Sequence, residues 1–430
     1  MAERVENTAQ KVVIINKSDS TGGAAVVSFR LMEAMRERGV DARMLVAEKL
    51  TDSPYVQLIA SPLRLKAAFA ADRLRIALAN GAQRSTLFKL DAAAFGIDVA
   101  DLPAVKEADI VIINWINQGV LSLKGIRRLT ESGKRVVWTM HDMWNMTGLC
   151  HHAGDCGRFL QGAECGECPL LGKHGSPNDL SHRTWLEKRR LYADAVAAGN
   201  GMEFVAVSTW LRDKALASGL LHDACLRVIP NLFRLPEETE LKRTEAPGRL
   251  RLIFGAARLD DDIKDLPLLI GTLSQLSARH PELASRTSLT LYGGIRDASI
   301  LERLRIPYQY HGLIRDPAKI RDLYLNSDIV LSTSRYETLP GTLVEGQAYG
   351  CLPVAAGLGG QPDIIHDGLG IHLPPVEGET RADYAARLAD AIADAARMLR
   401  ADAPSLRHRM RRSLEDRFSP DAVVAAYLSP

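Results

Sequence analysis

No run of apolar residues in this chain approaches the ~18 needed to cross a membrane, although 46% of its 430 residues are hydrophobic. The opening stretch, MAERVENTAQ, has no apolar core, so no secretory signal peptide is predicted. An excess of one charge is also missing. The 54 basic and 52 acidic side chains nearly cancel, which excludes a global pull toward nucleic acid. There is no low-complexity tract, and six cysteines in so long a chain do not make a disulfide framework. A cytoplasmic protein is expected, with peripheral contact at the inner membrane left open. What is present is length: too much for one ordinary core, hence two domains of about 200 residues each.

Both halves read as α/β. Lys11–Asn16 is an apolar run of strand length, followed by a glycine-bearing turn, a helical pattern over Ala24–Glu37 and a second β-rich piece at Ala42–Ala47. Strand, glycine loop, helix and strand in that order make a βαβ unit, which implies a parallel sheet buried on both faces. Short apolar strands recur at Asp109–Asn114, Arg135–Thr139 and Phe204–Ser208, each ending in polar residues. Pro230, Pro236 and Pro247 surround the charged stretch EETELKR, which reads as a connection. The pattern then restarts at Leu250–Ala256, Ser288–Tyr292, Ile329–Ser332 and Leu352–Ala355. The predicted organisation is an N-terminal Rossmann-like domain over 1–231 with a cysteine-rich insert at 150–168, and a linker over 232–248. A second α/β domain follows over 249–415, and a last helix over 416–430 packs back on the first domain. Ligands of open α/β sheets bind outside the carboxyl ends of the strands, so polar residues there are the candidate site.

The most informative stretch is Ser334 to Gly350, in which Glu337 and Glu345 stand eight residues apart. Pro340 suits the start of a helix, where a missing N–H costs nothing. The unpaired N–H groups around Leu339, Gly341 and Thr342 favour an anion. Ionised carboxylates only accept hydrogen bonds and hydroxyls donate them. One glutamate could therefore reach sugar hydroxyls and the other a ribose diol, on either side of a diphosphate. Two glutamates alone fit equally well an ordinary helix start with acids favoured by the dipole.

After the glutamates come Gly350-Cys-Leu-Pro-Val and then Gly359-Gly-Gln-Pro-Asp-Ile-Ile-His-Asp-Gly368. Together these resemble the E-x7-E region, the G-x-P-V strand and the glycine-rich segment of family-4 retaining glycosyltransferases. That resemblance implies a GT-B fold, with two Rossmann-like domains facing across a cleft, and transfer of a hexose from a nucleotide-diphosphate sugar with retention. It implies further roles residue by residue. Glu337 serves the donor sugar and Glu345 the ribose. Arg258 and Lys264 hold the diphosphate, although the family's Lys-Gly is here Lys264-Asp265. Gly293 fits a glycine turn, and Tyr310-His-Gly312 matches the segment contacting the base. Gly22 and Gly23 form the N-terminal glycine loop, and His141 is the acceptor-domain histidine beside the donor sugar. An isolated His141-Asp142 would otherwise read as a structural pair. One departure is Glu345-Gly-Gln-Ala for the usual Glu-Ala-Met-Ala. The donor expected is a UDP-sugar, with a GDP-sugar second, and no obligatory catalytic metal. Fixed cations and N–H groups would then stabilise the leaving phosphate, the loss of one such donor raising the barrier by about 3–4 kcal/mol.

Four cysteines, Cys150, Cys156, Cys165 and Cys168, lie close together with His151 and His152. Their spacing suits a structural, tetrahedral zinc, and packing as reduced thiols is the equal alternative. Similar inserts after an HDxW motif occur in a subgroup of exopolysaccharide and capsule glycosyltransferases, including colanic-acid types. Over Ser61–Leu90, six basic residues and one acid, Asp72, are interleaved with leucines. This pattern suits either an anionic membrane surface near a polyprenyl-linked acceptor or a core helix with a solvated basic side. The rival functions are a GT-B sugar-nucleotide epimerase and a non-catalytic sugar-nucleotide-binding or scaffold protein. An NAD enzyme fits less well, because STGGAA follows the first strand in place of G-x-G-x-x-G.

Overall fold

A computed structural model of the chain describes residues 10–197, 202–244, 246–366 and 368–429. Most of the N-terminal stretch read for a signal peptide lies outside the described residues. Two compact units result, one reaching Leu232 and resuming at Val423, the other Phe233–Ala422.

The first unit is built on seven parallel strands: β1 (Lys11–Ser18), β2 (Asp41–Glu48), β3 (Val56–Leu58), β4 (Ile110–Ile113), β5 (Arg135–Met140), β6 (Glu203–Ala206) and β7 (Leu226–Val228). Their order is β3-β2-β1-β4-β5-β6-β7, with Val12 opposite Ile110 and Ile15 opposite Ile113 in the β1–β4 register. Continuous apolar runs such as Ile110–Ile113 are buried throughout, as strands covered on both faces must be. After β1 the chain turns into α1 (Gly23–Glu37) through Gly22 at φ 92°, a backbone region that costs little only for glycine. One face of the sheet packs Ile14, Ile112, Val137 and Val205 against Met32 and Met35 of α1. Val423, Val424 and Tyr427 of the last helix, Pro420–Leu428, join the same core. The Tyr427 hydroxyl lies 2.9 Å from Thr139 Oγ1 on β5. On the outside of this unit runs α2 (Pro62–Ala79), with only Asp72, Arg73 and Ile76 buried.

The second unit repeats the design with β8 (Leu250–Arg258), β9 (Thr287–Gly294), β10 (Tyr308–Tyr310), β11 (Ile329–Ser332), β12 (Leu352–Ala355) and β13 (Ile371–His372). The order is β10-β9-β8-β11-β12-β13, all parallel. Leu252, Phe254, Leu291, Leu331 and Val354 form its core with Leu269 and Leu273 of the helix Leu266–Arg279 and Ile392 of the helix Arg381–Phe418. Burying each such side chain contributes about 1.5–3 kcal/mol. Residues 232–248 contain one short helical turn, Glu238–Glu240. Leu232 packs in the core of the first unit, whereas the Phe233 N–H donates to the Phe418 carbonyl at 2.9 Å, and the nearly buried Arg243 donates to the carbonyls of Tyr349 and Ser327 in the second. In each sheet the strand order reverses once, beside β1 and β4 in the first and beside β8 and β11 in the second. Those switch points are where open α/β sheets take ligands.

Candidate functional site

In the second unit the switch point gathers most of the residues singled out in the sequence. Arg258 ends β8, Lys264 follows six residues later, and Glu337 follows β11. The two loops are stitched together. Arg335 N–H donates to the Ile263 carbonyl at 2.8 Å, and Thr333 Oγ1 donates to the Lys264 carbonyl at 2.9 Å. That brings Lys264 Nζ into an ion pair with Glu337 Oε1, both groups mostly buried. The sequence alone does not join these two residues. Asp265, in place of the family's glycine, has φ 52°, the left-handed region glycine tolerates best. Its carboxylate offsets part of that strain by accepting the Leu268 N–H at 3.1 Å as the N-cap of the next helix, and by pairing with Arg381.

The helix Gly341–Ala348 starts after Pro340, whose side chain cannot cap it. Leu343 N–H bonds the Pro340 carbonyl at 3.1 Å, which leaves the Gly341 and Thr342 amides as the leading donors of the turn. Leu339 is buried behind them. Glu345, one turn on, is half-buried. It lies close enough to Tyr292 and Tyr324 that its charge adds to the burial that already raises both phenol pKa values. Those hydroxyls share a hydrogen bond of 2.7 Å. Gly346, the departure from the family's alanine, leaves room for Val330 of β11, so the change is one of packing.

Glycines shape the rest of this pocket. At Gly359 (φ +66°) a Cβ would collide with the Glu337 backbone, while Gly360 N–H donates to the Glu337 carbonyl at 2.7 Å. Gln361 is fully buried and donates to the Ser334 and Leu358 carbonyls. The glycine-rich segment thus clamps the loop that presents Glu337. A Cβ on Gly293 would strike the Ala256 carbonyl. Its N–H donates to Gly312 O at 2.7 Å, and Tyr310 donates to its carbonyl at 2.8 Å, so the Tyr310–Gly312 segment is docked on the end of β9. Arg258 is half-exposed and paired with Asp260 at 2.9 Å. Asp260-Asp261-Asp262, just beyond β8, has D-x-D spacing. Asp260 is engaged by Arg258 and by the Arg296 N–H, and Asp261 accepts the Ile263 N–H.

In the first unit His141 and Asp142 follow β5. His141 Nε2 lies 2.7 Å from Asn114 Oδ1 at the end of β4, so Nε2 carries the proton and donates. Burial pushes the imidazole pKa down to about 4 against the opposing Asp142 charge, which leaves the ring neutral near pH 7. Asp142 accepts from Trp115 Nε1 (2.9 Å), the Trp144 N–H (2.8 Å) and His151 Nδ1 (2.8 Å). Burial would raise this carboxyl, yet the adjoining His151 and these donors hold it well below the usual range. Lys188, fully buried, donates to the Trp144 and Thr147 carbonyls under the same loop. Asn114 and Lys188 carry no motif and were not found from the sequence. The glycine pair precedes α1 with Gly22 and Gly23 both exposed and open space about them.

The four cysteines expected as zinc ligands come together in the first unit. Cys150, Cys156, Cys165 and Cys168 line one cavity of about 20 Å³, but among the described residues no group of three or more His, Cys, Asp or Glu could hold a metal ion. The physical reason lies in the thiols' surroundings. Cys150 and Cys168 pack on the apolar cluster of Ile76, Leu90, Leu149 and Leu171, and Cys165 Sγ accepts the Gly148 N–H. Burial lifts Cys150 to about 12 and Cys165 to about 11.

Residues 251–399 match the family model for glycosyl transferases group 1. Over those residues the chain is similar to group 1 glycosyltransferases. It is 24% identical, over 78% of its length and 80% of the relative's, to WcaC of Escherichia coli (strain K12), described as a putative colanic acid biosynthesis glycosyl transferase. A glycosyltransferase from Rickettsia africae ESF-5 matches with a TM-score of 0.59 at 15% identity, covering 97% of each chain. Anabaena HepE in complex with UDP-glucose matches with a TM-score of 0.52 at 15% identity, over 97% of this chain and 99% of that one. These likenesses establish the GT-B fold for the two doubly wound units.

Proposed function

We propose that the protein is a retaining hexosyltransferase that moves a sugar from a nucleotide diphosphate to a glycan or polyprenyl-linked acceptor in exopolysaccharide or capsule synthesis. The observation that carries this reading is the Lys264–Glu337 ion pair beside the uncapped start of the helix Gly341–Ala348. An ammonium, Arg258 and two helix-start N–H groups suit the charge that develops on a departing diphosphate. Glu337 then accepts from donor-sugar hydroxyls, and Glu345 from the ribose. UDP-sugars are the first choice of donor, since HepE, of the same fold, binds UDP-glucose; GDP-sugars are the second. In the first unit, neutral His141 is the residue proposed to face the transferred sugar, with no enzyme nucleophile and no obligatory catalytic metal. A cytoplasmic enzyme in contact with the inner membrane is consistent with a lipid-linked acceptor, and among the described residues no helix is long and apolar enough to span the bilayer.

The test is Glu337→Ala, assayed with a panel of UDP- and GDP-sugars. Transfer is expected to fall about a hundredfold or more, with the circular dichroism spectrum and melting profile unchanged. Full transfer by the variant sinks the reading. Isomerisation of the nucleotide-sugar without any acceptor would favour the epimerase instead.

A further inference from the structure

Helix α2 is amphipathic in reverse. At 100° per residue, Leu63, Leu74 and Leu78 fall within about 60° of one another, and all three face solvent, 59–79% exposed. Its inward side holds a polar anchor in place of an apolar stripe. Arg73 bridges Asp72 and Asp91 at 2.5 Å each and donates to the Leu87 and Leu90 carbonyls. Both acids are fully buried. They are the only acids between Ser61 and Phe95, so every charge of that segment that reaches solvent is positive: the exposed Arg64, Lys66, Arg84 and Lys89 and the half-buried Arg75. Phe88 and Phe95 are exposed on the same segment. Beside the leucine stripe lies a groove of about 430 Å³, walled by Leu74, Leu78, Phe95 and Leu180, with Arg75 and Arg183 among its lining.

We infer that this face of the first unit is a docking surface for an anionic lipid bilayer, with the leucine stripe entering the headgroup boundary and the groove taking part of an aliphatic chain. Large exposed apolar patches mark interaction sites, and the charge decides the occupant. Five cations without a solvent-facing anion repel a second copy of the same face, whereas they match the negative potential of acidic headgroups. Arg64 and Arg75 flank the stripe on one edge and Lys66 on the other, so their heads can reach phosphates while their stems lie along the leucines. The inference rests on the proposed lipid-linked acceptor for its purpose, but the binding itself is independent of catalysis.

Cosedimentation of the full chain with vesicles tests it, comparing phosphatidylglycerol-containing with pure phosphatidylcholine vesicles at low salt. The protein is expected to pellet with the anionic vesicles only, and increasing salt is expected to release it. Leu74→Gln with Leu78→Gln should lower the partition coefficient about tenfold or more, and Arg64→Gln with Lys66→Gln roughly fivefold per charge. The circular dichroism melting profile of each variant verifies that the first unit is folded, and UDP-induced thermal stabilisation, read in parallel, reports on the other unit. Absence of pelleting by the wild type, or unchanged binding by both variants, overturns the inference. So does a dimer in light scattering that the leucine substitutions abolish, because the face would then be a protein interface. Loss of UDP binding with lipid binding intact would count against the proposed activity and leave the docking surface standing.

Discussion

His141 shows how a neighbour decides the chemistry of a side chain. Hydrogen-bonded through Nε2 to Asn114 and depressed by burial to about 4, it is neutral where the unfolded imidazole, near 6.5, begins to protonate. The unfolded chain therefore binds more protons than the folded one between about pH 6.5 and pH 4. The stability tied to this group is complete above that window and lost as pH falls through it, by at most about 3 kcal/mol. Denaturant midpoints measured across the window should fall with pH, and His141→Asn should flatten part of the fall. A ring nitrogen resonance typical of the cation at about pH 6 would contradict the assignment. The motif locates the histidine; only the side chain from β4 states its tautomer.

At the scale of elements, the loops after β8 and β11 matter more than the strands. Strand cores were legible as short apolar runs: Ile329–Ser332 and Leu352–Ala355 coincide with β11 and β12, because burial on both faces leaves few other residue choices. The loop contacts are long-range and have no periodicity, so the Lys264–Glu337 pair and the Gly359 clamp on Glu337 could not be read. Gly359→Ala tests the clamp. Its positive φ and the collision with the Glu337 backbone should displace the glutamate and cut transfer about tenfold or more, while costing on the order of 1–3 kcal/mol of stability. Equal kinetics for the variant and the parent would show that the loop adapts. The cysteine insert carries the opposite lesson. Metal-like spacing brought four thiols to one cavity, but apolar packing and backbone donors satisfied them there.

At the scale of the molecule, the chain's last turn belongs to its first unit. Val423, Val424 and Tyr427 complete the core around Val12, Ile14 and Met35, contributing at most about 4–8 kcal/mol by burial. Deletion from Pro420 onward should therefore lower the melting transition of the first unit by roughly 10 °C or more, with UDP binding to the second unit retained. A single unchanged transition would show that the helix is dispensable.

The order of apolar runs, glycine turns and prolines determined two doubly wound sheets, and the spacing from Glu337 to Gly368 is the pattern on which the proposed donor site rests. Those are local properties: strand burial, backbone φ and helix-start geometry act over a few residues and leave a pattern. Tertiary structure decided the rest. It paired Lys264 with Glu337, gave His141 its Asn114 partner, gathered the four cysteines round one cavity and turned the leucines of α2 outward by burying Asp72 and Arg73 beneath them. Each of these depends on which distant side chain arrives at a given point, and that is set by packing the whole sheet, not by any window of sequence.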